Sequence, residues 1–491
     1  MASNQVKQVS SGLLWTYAER MTAQLITIAV TVVLARLVVP SDYGLISIVS
    51  IFINIANAFV VSGFGNSLIQ KRNADDLDFS TVFYFSLVFA MLIYVLIFLT
   101  AEIIASFYEM PKLVTVLRVM GLRIPVAAVN SVQHAYISKK MQFKKFFFAT
   151  LGGTIVSAII GIAMAYKGFG IWALVVQYLT NTTIDTIVLW FTAGWRPRLS
   201  FSLTRMKGLF SFGWRIMCVG VFTTIYSNLK NLVIGKKYTS SDLAYSEKGE
   251  QFPSAIADNI NSSITKVLFP VLSAEQDNLY NLKRMVKRSI SVGTYILFPV
   301  LFGFAVVADS FVNVFLTDKW IGCVPFIQIM CASYALQPLQ TATLQMIKAT
   351  GRSDLYLTID IIKKTVGMVV LLVSIFFFKN VVYIVLGSLV VEVFSVVVLM
   401  PVNKSLINYG YCEQIKDILP AMVLSALMVF GIALLNHFTS MPSAVKLAVD
   451  VAFGAFIYMM CSLMSKNDSM TYIWGIVKGF RRRSFFGGGS K

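Results

Sequence analysis

Residues 79–106 read FSTVFYFSLVFAMLIYVLIFLTAEIIAS, a stretch whose single charged residue is Glu102. Crossing the hydrocarbon core takes about 20 mainly apolar residues as a helix, so this stretch is long enough and apolar enough to span a bilayer. It is also too uniformly apolar for the one-sided stripe of a soluble helix. The rest of the 491-residue chain repeats the pattern. It is 57% hydrophobic and 13% charged, and that charge is too little to cover the surfaces of a soluble protein of this length. About fourteen windows qualify as spans, the first at 12–36 and the last at 443–464. The first, seventh and eighth are the least apolar.

The net charge of +19 is spread in short basic clusters between apolar runs and forms no single stripe, which argues against nucleic acid. If the N-terminus is cytoplasmic, the clusters at Lys71–Arg72, Lys139–Lys145, Arg196–Lys207 and Lys283–Arg288, with the tail from Lys466, fall on one side of the membrane. Lys and Arg are retained on the cytoplasmic side, so the asymmetry predicts an even number of helices with both termini inside. The five cysteines show no CxxC spacing, and with only His134 and His437 there is no pattern for a disulfide framework, zinc or a histidine-rich metal centre. No GxxxxGK[ST] nucleotide loop occurs, and no cofactor is implied.

A weak internal repeat organises these spans. Pro40-Ser41-Asp42-Tyr43-Gly44 follows the first helix, and Ser240-Ser241-Asp242-Leu243-Ala244-Tyr245 follows the seventh. Helices four and ten, with Met120 and Met330, align at a shift of about 210 and run into Lys139 and Lys348. The expected architecture is an all-α integral membrane protein of about 14 transmembrane helices. Two six-helix bundles, residues 1–200 and 201–405, would be related by a pseudo-two-fold axis along the membrane normal. Helices 13 and 14 at 406–465 and a basic cytoplasmic tail at 466–491 would follow. In transporters of this design the substrate path lies at the repeat interface.

An ionisable residue at the bilayer centre costs about 2.5 to 3.5 kcal/mol, so buried charges either pair or line a hydrated interior. The candidates are Glu19 and Arg20 in helix one, Arg118 and Arg123 in helix four, Arg215 and Lys230 in helix seven, and Glu247, Lys248, Glu250 and Asp258 in helix eight. Helix two adds Asn54 and Asn57, and helix ten adds Gln337, Gln340 and Gln345. The excess is basic. Arg forks onto phosphate oxygens and amides serve sugar hydroxyls, so Arg20, Arg118, Arg123, Arg215, Lys230, Lys248, Asn54, Asn57, Gln337 and Gln340 are the candidate contacts to a phosphorylated glycan. Glu19, Glu250 and Asp258 are candidates for ion coupling. Simpler roles compete. Asp360 with Lys363 and Lys364 reads as a local ion pair, Arg118 and Arg215 as residues snorkelling from helix ends, and His134 as an inner-interface residue. Asp185 and Glu392, at nearly equivalent repeat positions, read as interhelical bonding groups. Pro125, Pro253, Pro270, Pro299 and Pro338 are candidate hinges.

Several stretches carry a family resemblance. Ala35-Arg36-Leu37 through Asp42-Tyr43-Gly44-Leu45, with Gly63-Phe64-Gly65-Asn66-Ser67-Leu68-Ile69-Gln70-Lys71-Arg72, resembles the first repeat of polysaccharide flippases in the multidrug/oligosaccharidyl-lipid/polysaccharide exporter superfamily. Asn261 to Leu272, containing Thr265-Lys266-Val267-Leu268-Phe269-Pro270, resembles the matching part of the second repeat. The similarity covers nearly the whole chain and is nearest to the colanic-acid type of Wzx flippase. Tyr245-Ser246-Glu247-Lys248 departs from the more neutral stretch expected there. The resemblance implies a transporter, not an enzyme. Its substrate would be an undecaprenyl-diphosphate-linked oligosaccharide moved to the periplasmic leaflet of a bacterial inner membrane, with polysaccharide polymerase and chain-length proteins as partners. The alternatives are a peptidoglycan lipid-precursor flippase, a multidrug exporter, which would want a net acidic cavity, and a membrane glycan polymerase or ligase, which would want a large outer loop.

Overall fold

The computed structural model describes residues 2–61 and 63–475, with residues 2–14, 16–18, 20 and 212 described by their backbone alone. Long apolar runs free of interior breakers fold as helices, because in lipid each backbone N–H and C=O must be satisfied within its own segment. The first part of the chain forms α1 (Ala2–Leu37), α2 (Pro40–Val61), α3 (Phe64–Gln70), α4 (Asp76–Tyr108), α5 (Lys112–Met120), α6 (Arg123–Lys139), α7 (Lys144–Tyr166), α8 (Ile171–Thr192) and α9 (Leu203–Lys237). Then come α10 (Ser240–Ala274), α11 (Leu279–Phe311), α12 (Val324–Ala335), α13 (Gln337–Ala349), α14 (Ser353–Phe377), α15 (Val381–Ile407), α16 (Tyr411–Phe438) and α17 (Ser443–Met464). With α2/α3, α5/α6 and α12/α13 each taken as one broken rod, the described residues make fourteen rods, as the apolar windows anticipate.

Ten of these rods are long and apolar enough to cross a membrane. The other four are α1, of which Met21–Leu37 is apolar but short, and α8, α10 and α14. The first, seventh and eighth helices, α1, α9 and α10, are less apolar over their full lengths than α8 or α14, as the sequence leads one to expect, and α9 qualifies only over Gly213–Lys237. In α8 and α14 the apolar run is interrupted locally, by Gln177, Asn181, Thr182 and Asp185 in the one and by Asp354, Asp360, Lys363 and Lys364 in the other. Both of the other hinge prolines' helices, α10 with Pro253 and Pro270 and α11 with Pro299, run through without a break.

The chain divides into two compact units, Met1–Ala244 and Tyr245–Lys491. In the first, α6 packs against α2, α3, α4 and α8, and α7 lies between α1 and α8. The unit boundary falls later than the repeat boundary read near residue 200, because α9 packs on α2, α3 and α4. Two glycines permit the approach. A Cβ added at Gly63 would lie 2.5 Å from the Gly213 carbonyl oxygen, and one at Gly213 would lie 2.7 Å from Ser67 Oγ. Phe210 then stacks on Phe64 with ring centres 6.0 Å apart, and Lys236 at the far end pairs with Glu109 at 2.8 Å. In the second unit α11 packs against α12, α13, α16 and α17. Tyr295 of α11 bonds Ser462 of α17 at 2.6 Å, and Tyr458 donates to the Tyr295 carbonyl at 2.7 Å, which ties helices 13 and 14 to this unit.

Where α4 begins, the basic loops are gathered by three aspartates. Asp75 caps the helix and Asp78 closes a reciprocal capping box, satisfying two N–H groups that a helix start leaves open. Lys71 reaches Asp78 at 2.7 Å, Arg205 reaches Asp75 at 2.5 Å and Asp78 at 3.3 Å, and Arg198 reaches Asp76 at 3.1 Å. The Asp78 side chain is fully buried although it is charged, so its cationic partners hold it there. The Arg205 hydrogen bond, helped by the Asp78 backbone N–H, lowers the Asp75 carboxyl to about 2.

Replacing Asp78 by Ala removes the cap contact and leaves Lys71 and Arg205 to resolvate; thermal unfolding in detergent should then show a loss of roughly 2–3 kcal/mol. Because Asp75 titrates lower folded than unfolded, its contribution should be constant from neutral pH down to its ordinary value of 3.8 and fade as the pH falls toward about 2. Gly213→Val should lower the melting temperature or the yield of folded protein, whereas Gly208→Ala, with open space around it, should not.

Candidate functional site

The fourth rod breaks at Gly121 and Leu122, between α5 and α6, and the tenth breaks at Leu336, between α12 and α13. In both cases a proline follows within three residues, Pro125 or Pro338. Proline lacks an N–H and is best tolerated in a first turn, and here each lies in the first turn of the helix that restarts after the break. The breaks occupy matching places in the repeat, and polar side chains collect after both.

In the first unit the restart places Arg123 at the head of α6. Its Nε donates to Thr182 Oγ1 at 3.1 Å, and its guanidinium lies 5.3 Å from the Tyr178 ring centre. Further along α6, Asn130 Nδ2 donates to Asp185 Oδ2 at 2.6 Å, and His134 Nε2 lies 3.7 Å from the same oxygen. Tyr178, Thr182 and Asp185 follow one another at helical spacing and so share one face of α8. The result is a polar seam between α6 and α8. It borders a cavity of about 340 Å³, which Asn66, Ser131, Ser138 and Thr182 also line.

In the second unit the restart places Gln337 at the head of α13, where Asn261 Nδ2 donates to its Oε1. Tyr334, just before the break, donates to Glu250 at 3.0 Å. Gln340 Nε2 donates to Glu392 Oε2 at 2.6 Å, and Lys363 Nζ reaches both Glu392 and Gln340 Oε1 at 3.0 Å. Ser395 donates to Gln340 Oε1 at 3.1 Å, completing a network across α13, α14 and α15. Lys363 therefore is not part of the local ion pair expected from its spacing: only Lys364 pairs with Asp360, at 2.8 Å. An acid on a neighbouring helix offers Lys363 a partner deeper in the rod.

The remaining candidates scatter. Arg118 turns to α4, donating to Glu102 at 2.9 Å and to the Phe98 carbonyl at 3.2 Å, away from the α6–α8 seam. Arg215 and Asn54 are exposed, Asp258 is exposed, and Lys230 is half-buried. Asn57 is half-buried, and its Oδ1 is buried without a hydrogen-bond partner. Lys248 is buried and donates to Gln251 at 3.0 Å, one turn along its own helix. Glu19 accepts from Thr150 of α7 at 3.0 Å. The Arg20 side chain, like tail residues 476–491, lies outside the described residues. Asn130, Tyr178 and Thr182 were absent from the sequence-based set. For Tyr178 and Thr182 the signal is the run of polar residues at helical spacing in α8, which no charge count reveals; Asn130, on α6, stands one turn before His134. Within each unit the arrangement supplies fixed donors and acceptors inside apolar rods.

Comparison with known proteins agrees with this reading. A family model described as polysaccharide biosynthesis protein matches residues 33–325. The teichuronic acid biosynthesis protein TuaB of Bacillus subtilis is 23% identical over 92% of this chain and 95% of its own length. The lipopolysaccharide biosynthesis protein WzxC of Escherichia coli is 24% identical over 67% of this chain and 68% of its own. Among solved structures, the lipid II flippase MurJ in an inward closed conformation superposes with a TM-score of 0.73 at 13% identity, covering 92% of this chain and 99% of that one; this is a likeness of fold. On these matches the chain belongs to the polysaccharide biosynthesis protein family, as a multi-pass helical membrane protein of the transporter fold.

Proposed function

We propose that the protein is a flippase that moves undecaprenyl-diphosphate-linked oligosaccharide units from the cytoplasmic to the periplasmic leaflet of a bacterial plasma membrane, by alternating access, for surface polysaccharide synthesis. One observation carries the reading: polar seams with Arg123 and a set of amides and hydroxyls follow the two broken helices, inside rods otherwise built for lipid. Seams of this composition suit a substrate with a phosphorylated, hydroxyl-rich head and an apolar tail. The family match and the polysaccharide names of the relatives support the same class of cargo. The likeness to the lipid II flippase is one of fold and does not select a peptidoglycan precursor.

The energetics are favourable in sign. A diphosphate carries about two negative charges, and moving each outward against an inside-negative potential of about 100 mV gains roughly 2.3 kcal/mol. No nucleotide is needed. The loop charge asymmetry supports placing both termini in the cytoplasm. A polymerase and a chain-length protein are the natural partners downstream.

Purified protein in vesicles, given a labelled lipid-linked oligosaccharide, should transfer it between leaflets, and the gene should restore export in a glycan-export mutant but not in a cell-wall-precursor mutant. Arg123→Ala removes a charge-assisted contact of about 1.5–3 kcal/mol and should slow transfer roughly ten- to a hundredfold. Arg118→Ala breaks a pair whose acid, Glu102, is largely exposed, and should leave transfer near the wild-type rate. Equal effects of the two substitutions would remove Arg123 from the mechanism.

A further inference from the structure

The two halves of the repeat carry the same interhelical link with one difference. In each, an amide on the rod after the break donates to a carboxylate at 2.6 Å: Asn130 to Asp185 and Gln340 to Glu392. Both amides and both carboxylates correspond at a shift of about 210 along the chain. In the second half the carboxylate also meets the Lys363 amine, at 3.0 Å. In the first half the basic partner is the His134 imidazole, at 3.7 Å. Imidazole is the side chain that gains and loses charge near neutrality. Thus the linkage that is fixed in one half is switchable in the other.

The surroundings isolate this pair. Asp185 is the one carboxylate on α8. On α7, which meets His134 through the stacked ring of Phe146 at 4.5 Å, the cations Lys144 and Lys145 sit at the helix start, over Trp15 and toward the Ala193 carbonyl. The α3 segment has no ionisable residue, and α2 has Asp42 and Tyr43 near its opposite end. On α4, Asp76 and Asp78 are held by Arg198, Lys71 and Arg205, and Glu102 by Arg118. On α6 itself, Arg123 is bonded to Thr182, Lys139 donates to the carbonyls of Leu68 and Lys71, and Tyr136 stacks on Trp195. Water can deliver a proton: the His134 side chain is 45% exposed and stands on the wall of the hydroxyl- and amide-lined cavity of about 340 Å³.

We propose that His134 and Asp185 form a proton-binding site that clamps α6 to α8 when occupied and releases them when empty, and that this site couples the flippase cycle to a proton. The coupling rests on the flippase reading; the clamp does not. A proton taken from cavity water onto the imidazole turns a neutral contact into an ion pair with the Asp185 carboxylate, beside the Asn130 hydrogen bond. Because α6 begins at a helix break, it is joined to α5 only through Gly121 and Leu122, and the clamp adds a charged link to the Arg123–Thr182 and Asn130–Asp185 bonds that tie it to α8.

Hydrogen–deuterium exchange of the full purified chain, without substrate, tests the clamp. After correction for the intrinsic pH dependence, peptides covering α6 and α8 should exchange roughly fivefold more slowly at pH 6 than at pH 8, the factor that about 1 kcal/mol in a half-exposed ion pair produces. His134→Gln should exchange fast at both pH values, and His134→Lys, which copies the amine of the second half, slowly at both. His437→Gln should behave as wild type. Protection that is equal at both pH values in the wild type, or pH dependence that survives in His134→Gln, overturns the clamp. In vesicles, transfer by the wild type should rise with an imposed pH gradient and transfer by His134→Gln should not; gradient-independent transfer by the wild type overturns the coupling. Absence of any transfer by the wild type would count against the flippase reading and its coupling, while the exchange result still decides the clamp.

Discussion

Lipid offers no hydrogen bonds, and that single fact governs where every polar group of this chain goes. Backbone groups are closed off inside helices, and side-chain groups have to find one another or water. Polar residues on α1, α8, α10 and α14 accordingly bond to neighbouring helices: Glu19 to Thr150, Asp185 to Asn130, Glu250 to Tyr334, and Lys363 to Glu392. The middle of α4, from Leu87 to Leu99, carries no charged or amide side chain. Polarity is concentrated at seams between helices.

The broken rods follow from the same constraint. Stopping a helix in a bilayer leaves carbonyls and N–H groups without partners, a cost accepted where the freed backbone is covered by protein or faces a cavity. At the first break, Gly121 N–H still reaches the Leu117 carbonyl and Ile124 N–H reaches Gly121, so the chain turns with little loss. At the second, Leu336 N–H bonds the Ser333 carbonyl. Each restart then sets a long polar side chain, Arg123 or Gln337, at the head of a new helix, where its direction is fixed by the first turn.

The number of rods was legible from apolar run lengths, and Pro125 and Pro338 were among five candidate hinges, of which Pro253, Pro270 and Pro299 lie in helices that run on unbroken, so proline alone does not place the breaks. Spacing along one chain tells which residues share a helix face, but it does not tell which helix lies opposite. That is why Lys363 read as part of a local pair with Asp360, why Arg118 read as a cavity residue or a snorkelling one when it meets Glu102, and why His134 read as an interface residue. The placement of α9 escaped for a similar reason: Gly63 and Gly213 are unremarkable singly and matter because they face each other. Asp185 and Glu392 were legible as interhelical bonding groups, since a lone acid in an apolar run has little alternative.

The repeat is most informative where its halves differ. In the second half the cation comes from a third helix, so Lys363 of α14 ties α13 and α15 together through Gln340 and Glu392, and Ser395 adds a further bond. In the first half the amide and the imidazole that meet Asp185 stand on α6 one turn apart, and among the described residues no third helix supplies a cation to the carboxylate. A network braced from three helices resists any one of them moving, because shifting one rod breaks bonds to the other two. A link between two rods opens along one coordinate and depends on a charge that comes and goes. The physical chemistry of the same motif thus makes one copy a brace and the other a latch.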